Sequence, residues 1–324
     1  MHRYTTDATI AHALYGQVLL CTDTLTGENV AIKRMNLDAA ASRRLFRGGS
    51  YVLFEDIATE KLVNHALSAF GGHPNILRLR DAFVQDGYDH FVLDYCDGGE
   101  LFDIRISLIE RFCKPSIQLP FCSNRKFYAK RFCKLSIQQQ IVDSASGRRL
   151  ELKVARRYFR QIVLGVHYMH GRGFAHRDLS LENVLVNGKD ECFVCDFGLA
   201  TTTTARPNDV VGKAFYMAPE VAAGCTYDPV KDDVWSLGIM LFMMLTGSPL
   251  VEHASDKDSR FQFLKAKGIR KLVEAWRLDH AVNGDALHLL TQMLNLDPAS
   301  RPSVKAILAH PFVTCQSAKC PISE

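Results

Sequence analysis

The feature that most constrains this sequence is a series of short polar motifs, each set beside an apolar run. Val30-Ala-Ile-Lys33 places a lysine in an apolar run, and Asp196-Phe-Gly198 directly follows another. Between them, His176-Arg-Asp-Leu-Ser-Leu-Glu-Asn183 follows a long amphipathic stretch. Asp196 lies 18 residues after Asp178, which is enough chain for a short hairpin that returns Asp196 to the same cleft.

The first third of the chain is predicted to be strand-rich. The turn residues Thr26-Gly-Glu-Asn29 divide residues 4–36 into strands that form a hairpin. Helical spacing of apolar residues predicts a helix over residues 50–69. Strands are predicted over residues 76–84 and 88–95, on either side of a polar turn.

The pattern becomes helical after about residue 150. Four helices are predicted, over residues 152–170, 232–245, 286–294 and 304–308, and the second is apolar on nearly every side. A small strand-rich part before a larger helical part predicts an α+β fold with two lobes. Residues 105–147 have no clear period, so we interpret them as a mobile insertion loop.

Composition excludes several classes of protein. Hydrophobic residues make up 47% of the 324 residues and charged residues 23%, which is typical of a folded globular chain. A net charge of +4 is too small to predict nucleic-acid binding. The longest apolar run, residues 234–247, is too short to span a bilayer. We therefore expect a soluble, intracellular, cytoplasmic monomer that binds neither nucleic acid nor membrane.

Two further motifs complete the ordered set. Ala218-Pro-Glu220 comes after the others, and Asp233-Val-Trp-Ser-Leu-Gly238 follows it. In this order the motifs resemble those of the eukaryotic protein kinases, from about residue 4 to Phe312. The resemblance implies a two-lobed kinase fold with these divisions: 1–95 N-lobe, 96–104 hinge and start of the C-lobe, 105–147 insertion, 148–313 C-lobe, 314–324 tail.

This resemblance also implies an activity. Such enzymes transfer the γ-phosphoryl group of ATP to protein substrates with the help of Mg²⁺. The Leu179-Ser-Leu-Glu-Asn183 run is closer to the Ser/Thr type of catalytic loop than to the tyrosine type, and Gly98-Gly-Glu-Leu-Phe-Asp103 is similar to the calmodulin-dependent kinase group. The alternative is a pseudokinase or scaffold with weak or no phosphoryl transfer.

The resemblance assigns roles to the polar residues. Lys33 would hold the α and β phosphates, and Glu60 is the preferred anchor for its ammonium group, with Glu55 as the rival. Asp178 would accept or orient the acceptor hydroxyl proton. Asn183 and Asp196 would supply hard oxygen ligands to Mg²⁺.

The remaining nucleotide contacts are also implied by the resemblance. Leu93 would be the gatekeeper, and the hinge residues Asp94 and Cys96 would pair with adenine. Glu100 would contact the ribose, and Glu100 with Glu182 could favour basic residues before the acceptor. The expected phosphate-loop and adenine-contacting residues are Ala11, Gly16, Val18, Ala31 and Leu185.

Three departures from the family pattern are informative. The phosphate-covering loop, Ala11-His-Ala-Leu-Tyr-Gly-Gln-Val18, keeps one glycine of three, which predicts nucleotide binding weakened several-fold. Ser180 stands where Ser/Thr kinases usually carry a lysine. Lys213 stands where they usually carry a threonine that touches that lysine. We therefore expect Lys213 to reach into the cleft and supply the missing cation; the alternative is a solvent-facing Lys213.

The third departure lies in the activation segment. Asp209 occupies a position where a phosphothreonine is often found, so it could partly mimic the phosphate opposite Arg177. Residues 201–204, four threonines, are the rival phosphate acceptors. Glu220 is expected to pair with Arg301, and Asp233 to brace the backbone of the catalytic loop.

Overall fold

The protein is described by a computed structural model over residues 3–42, 56–103, 149–282 and 284–314. The predicted insertion at 105–147, the rival anchor Glu55 and residues 315–324 of the predicted tail lie outside the described residues. The described ranges form a strand-rich N-lobe followed by a mainly helical C-lobe, which confirms the predicted α+β organisation.

The N-lobe contains a five-stranded antiparallel sheet with strand order β1-β2-β3-β5-β4. Its strands are β1 (Tyr4–Ala13), β2 (Gly16–Asp23), β3 (Asn29–Asn36), β4 (Leu79–Gln85) and β5 (Tyr88–Asp94). The run predicted as one hairpin is thus three strands, because the chain reverses at residues 14–15 as well as at the predicted turn. The polar β1 is largely exposed, as an edge strand can be.

The alternation of side chains along β3 decides where its lysine lies. Val30 and Ile32 are fully buried in a small cluster on one face of the sheet. Ala31 and Met35 are buried in a second cluster on the opposite face. Since successive side chains of a strand point to opposite faces, Lys33 shares the face of Ala31 and Met35.

That face packs against a helix. Two helices occur in the described N-lobe, α1 (Leu37–Ala41) and α2 (Ile57–Ser68). The Asp56 side chain caps α2 by accepting hydrogen bonds from the backbone N–H groups of Ala58 and Thr59. The buried stripe of α2 includes Ile57, Glu60, Val63 and Leu67. Helix α2 accounts for the later part of the helix predicted over residues 50–69, with Glu60 on its buried face, and residues 50–55 lie outside the described residues.

The C-lobe is built around a buried helix. Its helices are α3 (Leu152–Gly171), α4 (Pro219–Ala222), α5 (Pro229–Thr246), α6 (Ser259–Ala275), α7 (Gly284–Met293), α8 (Val304–Ala309) and α9 (Pro311–Thr314). Short 3-10 helices occupy Ala69–Gly71, Leu181–Asn183 and Pro298–Ser300. Helix α5 is buried along nearly its whole length, as predicted, and α3 and α7 pack against it. The sequence prediction missed α6, whose helical φ/ψ are interrupted at Gly268.

Two small sheets carry the segments between these helices. Their strands are β6 (Gly99–Glu100), β7 (Phe174–Ala175), β8 (Val184–Val186), β9 (Cys192–Val194) and β10 (Thr201–Thr202). Strands β8 and β9 form the expected short hairpin, with Val184 opposite Val194. This hairpin connects Asn183 at one end to Asp196 at the other. None of the helices in the described ranges is long and apolar enough to cross a membrane.

Candidate active site

The ammonium group of Lys33 links the two lobes. Its Nζ lies 2.6 Å from Glu60 Oε1 on α2 and 3.0 Å from Asp196 Oδ1 after β9. The Lys33 side chain is 12% exposed, so both interactions are largely shielded from water. The predicted contact between Lys33 and Glu60 is therefore present, and Lys33 also reaches the aspartate expected to bind Mg²⁺.

The three charges influence each other strongly. Burial raises the pKa of Glu60, and the positive charge of Lys33 offsets this only in part. Partial burial acts to raise the pKa of Asp196 too, but the charge and hydrogen bond of Lys33, together with Lys213, lower that pKa to about 2. Asp196 is thus an anion at neutral pH, which is the state needed for a metal ligand.

Two residues of the cleft have a strained backbone conformation. Arg177 has φ of 63° and Asp196 has φ of 68°, in the left-handed region that residues other than glycine rarely adopt. Asp233 of α5 is fully buried and accepts hydrogen bonds from the backbone N–H groups of His176 at 2.8 Å and Arg177 at 2.9 Å. His170 holds Asp233 Oδ2 at 2.7 Å. The predicted bracing by Asp233 is confirmed, and it stabilises the strained conformation.

Asp178 lies at the centre of a hydrogen-bond network. Asn183 Nδ2 donates to both the carbonyl oxygen and Oδ2 of Asp178, each at 2.7 Å. The backbone N–H of Lys213 donates to Asp178 Oδ1 at 3.1 Å. The carboxylate is therefore fixed in direction by one residue of its own loop and one residue of the activation segment.

The residues present suit a magnesium ion. Because Asn183 Nδ2 makes both bonds to Asp178, the side-chain carbonyl Oδ1 of Asn183 is the atom left to act as a ligand. The backbone N–H of Cys195 donates to the carbonyl oxygen of Asn183 at 3.0 Å. This hydrogen bond keeps Asp196, the next residue, close to Asn183. One carboxylate and one amide oxygen are hard donors, and few protein ligands are typical of Mg²⁺ bound together with phosphates.

Lys213 lies inside the cleft rather than in solvent. Its Nζ donates to Asp178 Oδ2 at 2.8 Å and to Ser180 Oγ at 2.9 Å. Burial acts to lower the pKa of Lys213, but the negative charges of Asp178 and Glu182 raise it more, and the net shift is upward. The expected position of Lys213 is thus the one observed, while its part in phosphoryl transfer stays a prediction.

The activation segment contacts Arg177 through a carboxylate. Arg177 Nη1 lies 3.3 Å from Asp209 Oδ2 and 3.2 Å from the hydroxyl of Tyr227, and its Nε donates to Leu199 O at 2.8 Å. Among the rival threonines at 201–204, Thr201 and Thr202 form β10, which pairs with β7. The geometry places Asp209 where it can offset the charge of Arg177.

A second ion pair lies beneath the activation segment. Arg301 Nη2 lies 2.8 Å from Glu220 Oε2, and its Nη1 lies at hydrogen-bond distance from Glu220 Oε1. The Arg301 side chain is 0% exposed and also donates to the carbonyl oxygens of Asn295 and Lys231. The predicted pairing of Glu220 with Arg301 is confirmed, with two parallel bonds.

The residues expected around adenine meet in one apolar cluster. Ala31, Leu93 and Cys96 are buried in this cluster, and Val18 and Leu185 pack against it. Glu100 lies opposite Leu185 in the pairing of β6 with β8. At the hinge, Asp94 N–H donates to Arg78 O at 3.1 Å, and Cys96 O accepts from Gly99 N–H at 3.3 Å.

The phosphate-covering loop differs in detail from expectation. Ala11 is exposed on β1, opposite Val18, and lies outside the apolar cluster. A Cβ added at Gly16 would lie 1.9 Å from Arg34 O, and Gly16 is not among the residues with positive φ. The glycine is required by close packing against β3 rather than by a left-handed backbone. The neighbouring Tyr15 is 3% exposed and packs in the cluster.

Several site residues carry no signal in the sequence. His170 and Tyr227 support Asp233 and Arg177 from distant segments, and neither belongs to a motif identified in the sequence. Gly212 is different, since a glycine directly before Lys213 is a recognisable indication of a close backbone approach. Its φ is 94°, and an added Cβ would lie 2.8 Å from Arg177 O.

Comparison with known proteins gives consistent results. A serine/threonine-protein kinase of Arabidopsis thaliana, SRK2J, is 27% identical over 315 residues, which cover 96% of this chain and 76% of that protein. CBL-interacting serine/threonine-protein kinase 14 of the same plant is 30% identical over 295 residues, 89% of this chain and 53% of that protein. A probable serine/threonine-protein kinase of Dictyostelium discoideum is 29% identical over 306 residues, 94% of this chain.

The chain spans 30% of the length of the Dictyostelium relative and 53% of the CBL-interacting kinase. The family model for the protein kinase domain matches residues 4–313, nearly the whole chain. Together with the two-lobed fold and the cleft described above, this match shows that the chain belongs to the protein kinase domain family.

Proposed function

We propose that this chain transfers the γ-phosphoryl group of ATP to serine or threonine hydroxyls of protein substrates. The observation that carries the proposal is the meeting of Lys33, Asp178, Asn183 and Asp196 in one cleft between the lobes. These side chains come from four separate segments and have the charges that phosphoryl transfer requires. Relatives from plants and Dictyostelium that are named as serine/threonine kinases support the same acceptor class.

Each residue has a role that follows from its position. Lys33, fixed by Glu60, would bind the α and β phosphates, and Asn183 and Asp196 would hold Mg²⁺. When bound, the metal ion neutralises phosphate charge. Asp178 would orient the acceptor hydroxyl and take up its proton. The strained backbone at Asp196 is held in place by the Lys33 contact before any ligand arrives.

The adenine would lie against the apolar cluster formed around Ala31, Leu93 and Leu185. Since the Cys96 carbonyl is engaged by Gly99, the Cys96 N–H is the group of that residue that we expect to pair with adenine. Glu100 would contact the ribose from β6. The loop residues Ala11 and Gly16 would cover the phosphates, with the weaker nucleotide binding expected from the lost glycines.

The pseudokinase alternative rests on Ala11, Ala13 and Ser180, which depart from the family pattern, and on the insertion at 105–147. None of the three substitutions removes a carboxylate or amide from the cleft, so we favour the active enzyme. We also propose that it acts as a cytoplasmic monomer, that it needs neither nucleic acid nor membrane, and that Glu100 and Glu182 favour basic residues before the acceptor. The kinase domain would comprise the N-lobe, hinge, insertion, C-lobe and tail with the boundaries predicted above.

A direct assay tests the proposal. Radiolabelled ATP and Mg²⁺ would be supplied with degenerate peptides that offer serine, threonine or tyrosine as the only acceptor. We expect label on the serine and threonine peptides. Transfer to tyrosine peptides alone would refute the acceptor class, and no transfer to any peptide would favour the pseudokinase.

The contact between Arg177 and Asp209 leads to a prediction about activation. Exchanging Asp209 for alanine should lower basal activity several-fold, since Arg177 then loses the negative charge that orders the segment, although Asp209 is 45% exposed and its effect is limited by solvent. The measurement is the initial rate of unphosphorylated protein, with Asp256→Ala as a control at another exposed ion pair. If phosphatase treatment abolished activity while Asp209→Ala did not change it, the threonines at 201–204 would be the activating residues.

A further inference from the structure

The catalytic loop of this chain lacks a cation where Ser180 stands, yet a cation occupies the adjoining space. The Ser180 side chain is fully buried and its hydroxyl accepts a hydrogen bond from Lys213 Nζ at 2.9 Å. The same ammonium group lies 2.8 Å from Asp178 Oδ2. Residues 180 and 213 are therefore direct partners across the cleft.

The backbone fixes Lys213 in this place. Gly212 passes so close to Arg177 O that a Cβ at this position would lie only 2.8 Å from it. The next N–H, that of Lys213, donates to Asp178 Oδ1 at 3.1 Å. Main chain and side chain of Lys213 thus hold opposite oxygens of one carboxylate, which a lysine reaching in from a mobile loop would not do.

The hydrogen-bond capacity of Asp178 leaves room for a substrate. An ionised carboxylate offers about four acceptor positions. Three are used here, by Asn183 Nδ2 and by the backbone N–H and Nζ of Lys213. One position remains for an acceptor hydroxyl, which would then bind the same carboxylate as the Lys213 ammonium group.

Building on the proposed kinase activity, we infer that Lys213 supplies from the activation segment the cation that stabilises the transferred phosphoryl group, and that Ser180 holds it in position. In this reaction the acceptor oxygen forms a bond to the γ phosphorus while the bond to the bridging oxygen of ATP breaks and ADP leaves with that electron pair. The acceptor proton passes to Asp178. Lys213 keeps its protons throughout and contributes charge alone.

The test removes the lysine at residue 213 and restores a lysine at residue 180. The variants are Lys213→Thr, Ser180→Lys and the double variant with both changes, and Lys267→Thr is the control because Lys267 is an exposed lysine on α6. One charge-assisted contact is worth about 1.5–3 kcal/mol, so Lys213→Thr should lower kcat by about tenfold to a hundredfold. The double variant should regain most of the loss, and the control should stay within twofold of the unchanged protein.

Nucleotide binding provides a second readout that needs no turnover. The rise in melting temperature is measured with Mg²⁺-ATP and with Mg²⁺-ADP for each variant. The melting temperature of the unchanged protein should rise more with ATP than with ADP. The Lys213→Thr variant should lose this difference and keep the rise with ADP, which also shows that the variant is folded.

The outcomes separate the inference from the proposed function. A Lys213→Thr variant within twofold in kcat, or a double variant no better than the single one, would overturn the inference while the kinase activity stands. If the unchanged protein does not transfer phosphate but shows an ATP-specific shift that depends on Lys213, the cation assignment stands and the proposed function fails. Absence of both activity and the ATP-specific shift would overturn both.

Discussion

Exchanging Asp178 for asparagine should lower kcat by about a hundredfold to ten-thousandfold, the range for loss of a positioned general base. The amide oxygen can still accept from Asn183 and Lys213 Nζ at the Oδ2 position, while the amide nitrogen at the Oδ1 position loses the hydrogen bond from the Lys213 backbone N–H. What is lost is the negative charge and the acceptor position for the substrate hydroxyl. The measurement is the steady-state rate at saturating ATP and peptide.

Asp256→Asn is the matched control for this change. Asp256 is 69% exposed and pairs with Lys265 on the surface, so the same chemical change there should leave kcat unaffected. Binding of Mg²⁺-ATP should be nearly unchanged in Asp178→Asn, because Asp178 is not one of the proposed phosphate or metal ligands. A kcat within tenfold of the unchanged protein would contradict the role of Asp178.

Exchanging Arg301 for methionine should have the largest effect on stability. The change leaves the Glu220 carboxylate, which is 13% exposed, without its partner, and it removes the donors to the carbonyl oxygens of Asn295 and Lys231. Breaking a buried ion pair from one side costs about 3–5 kcal/mol. The free energy of unfolding from denaturant titration measures this loss.

Two further variants identify the cause of the loss. The double variant Glu220→Gln with Arg301→Met should lose less than the sum of the two single changes, since no unpaired charge remains. Arg206→Met is the surface control, because Arg206 is 54% exposed and lies 3.7 Å from Asp228, where an ion pair contributes about 0–1 kcal/mol. A loss below about 1 kcal/mol for Arg301→Met would contradict the structural role of the pair.

The elements that carry a strong period could be predicted from the sequence. The strand over β3 and a helix ending near residue 68 are predicted in this way. The ion pair between Lys33 and Glu60 is predicted from the resemblance to protein kinases, with Glu55 as the rival, and the structure shows its basis: Lys33 lies on the sheet face of Ala31 and Met35, and Glu60 lies on the buried stripe of α2. The all-round apolar character of α5 likewise predicts its burial.

Other features were beyond prediction for physical reasons. Helix α6 was missed, and its helical φ/ψ are interrupted at Gly268, where φ is 74°. Tyr227 and His170 contact the site from distant segments, so local spacing carries no information about them. The need for glycine at residue 16 arises from Arg34 O on the neighbouring strand, a tertiary contact that no motif encodes.

The position of Lys213 is an intermediate case. The absence of a lysine at residue 180 and its presence at residue 213 predict a contact only when the two segments are known to meet. The structure supplies that meeting through Gly212, which allows the activation segment to approach Arg177 O. Sequence therefore predicts the exchange of charges, and the backbone geometry explains how it is accommodated.

The most direct test of the central claim is calorimetric titration of ATP into the protein, with and without Mg²⁺, for the unchanged chain and for Asp196→Asn. If Lys33, Asn183 and Asp196 form one magnesium-nucleotide site, the unchanged chain binds one ATP in a magnesium-dependent manner. The Asp196→Asn variant should then bind at least about tenfold more weakly, which corresponds to about 1.4 kcal/mol. Binding that is absent in the unchanged chain, or that is equal in both proteins and indifferent to Mg²⁺, would contradict the account.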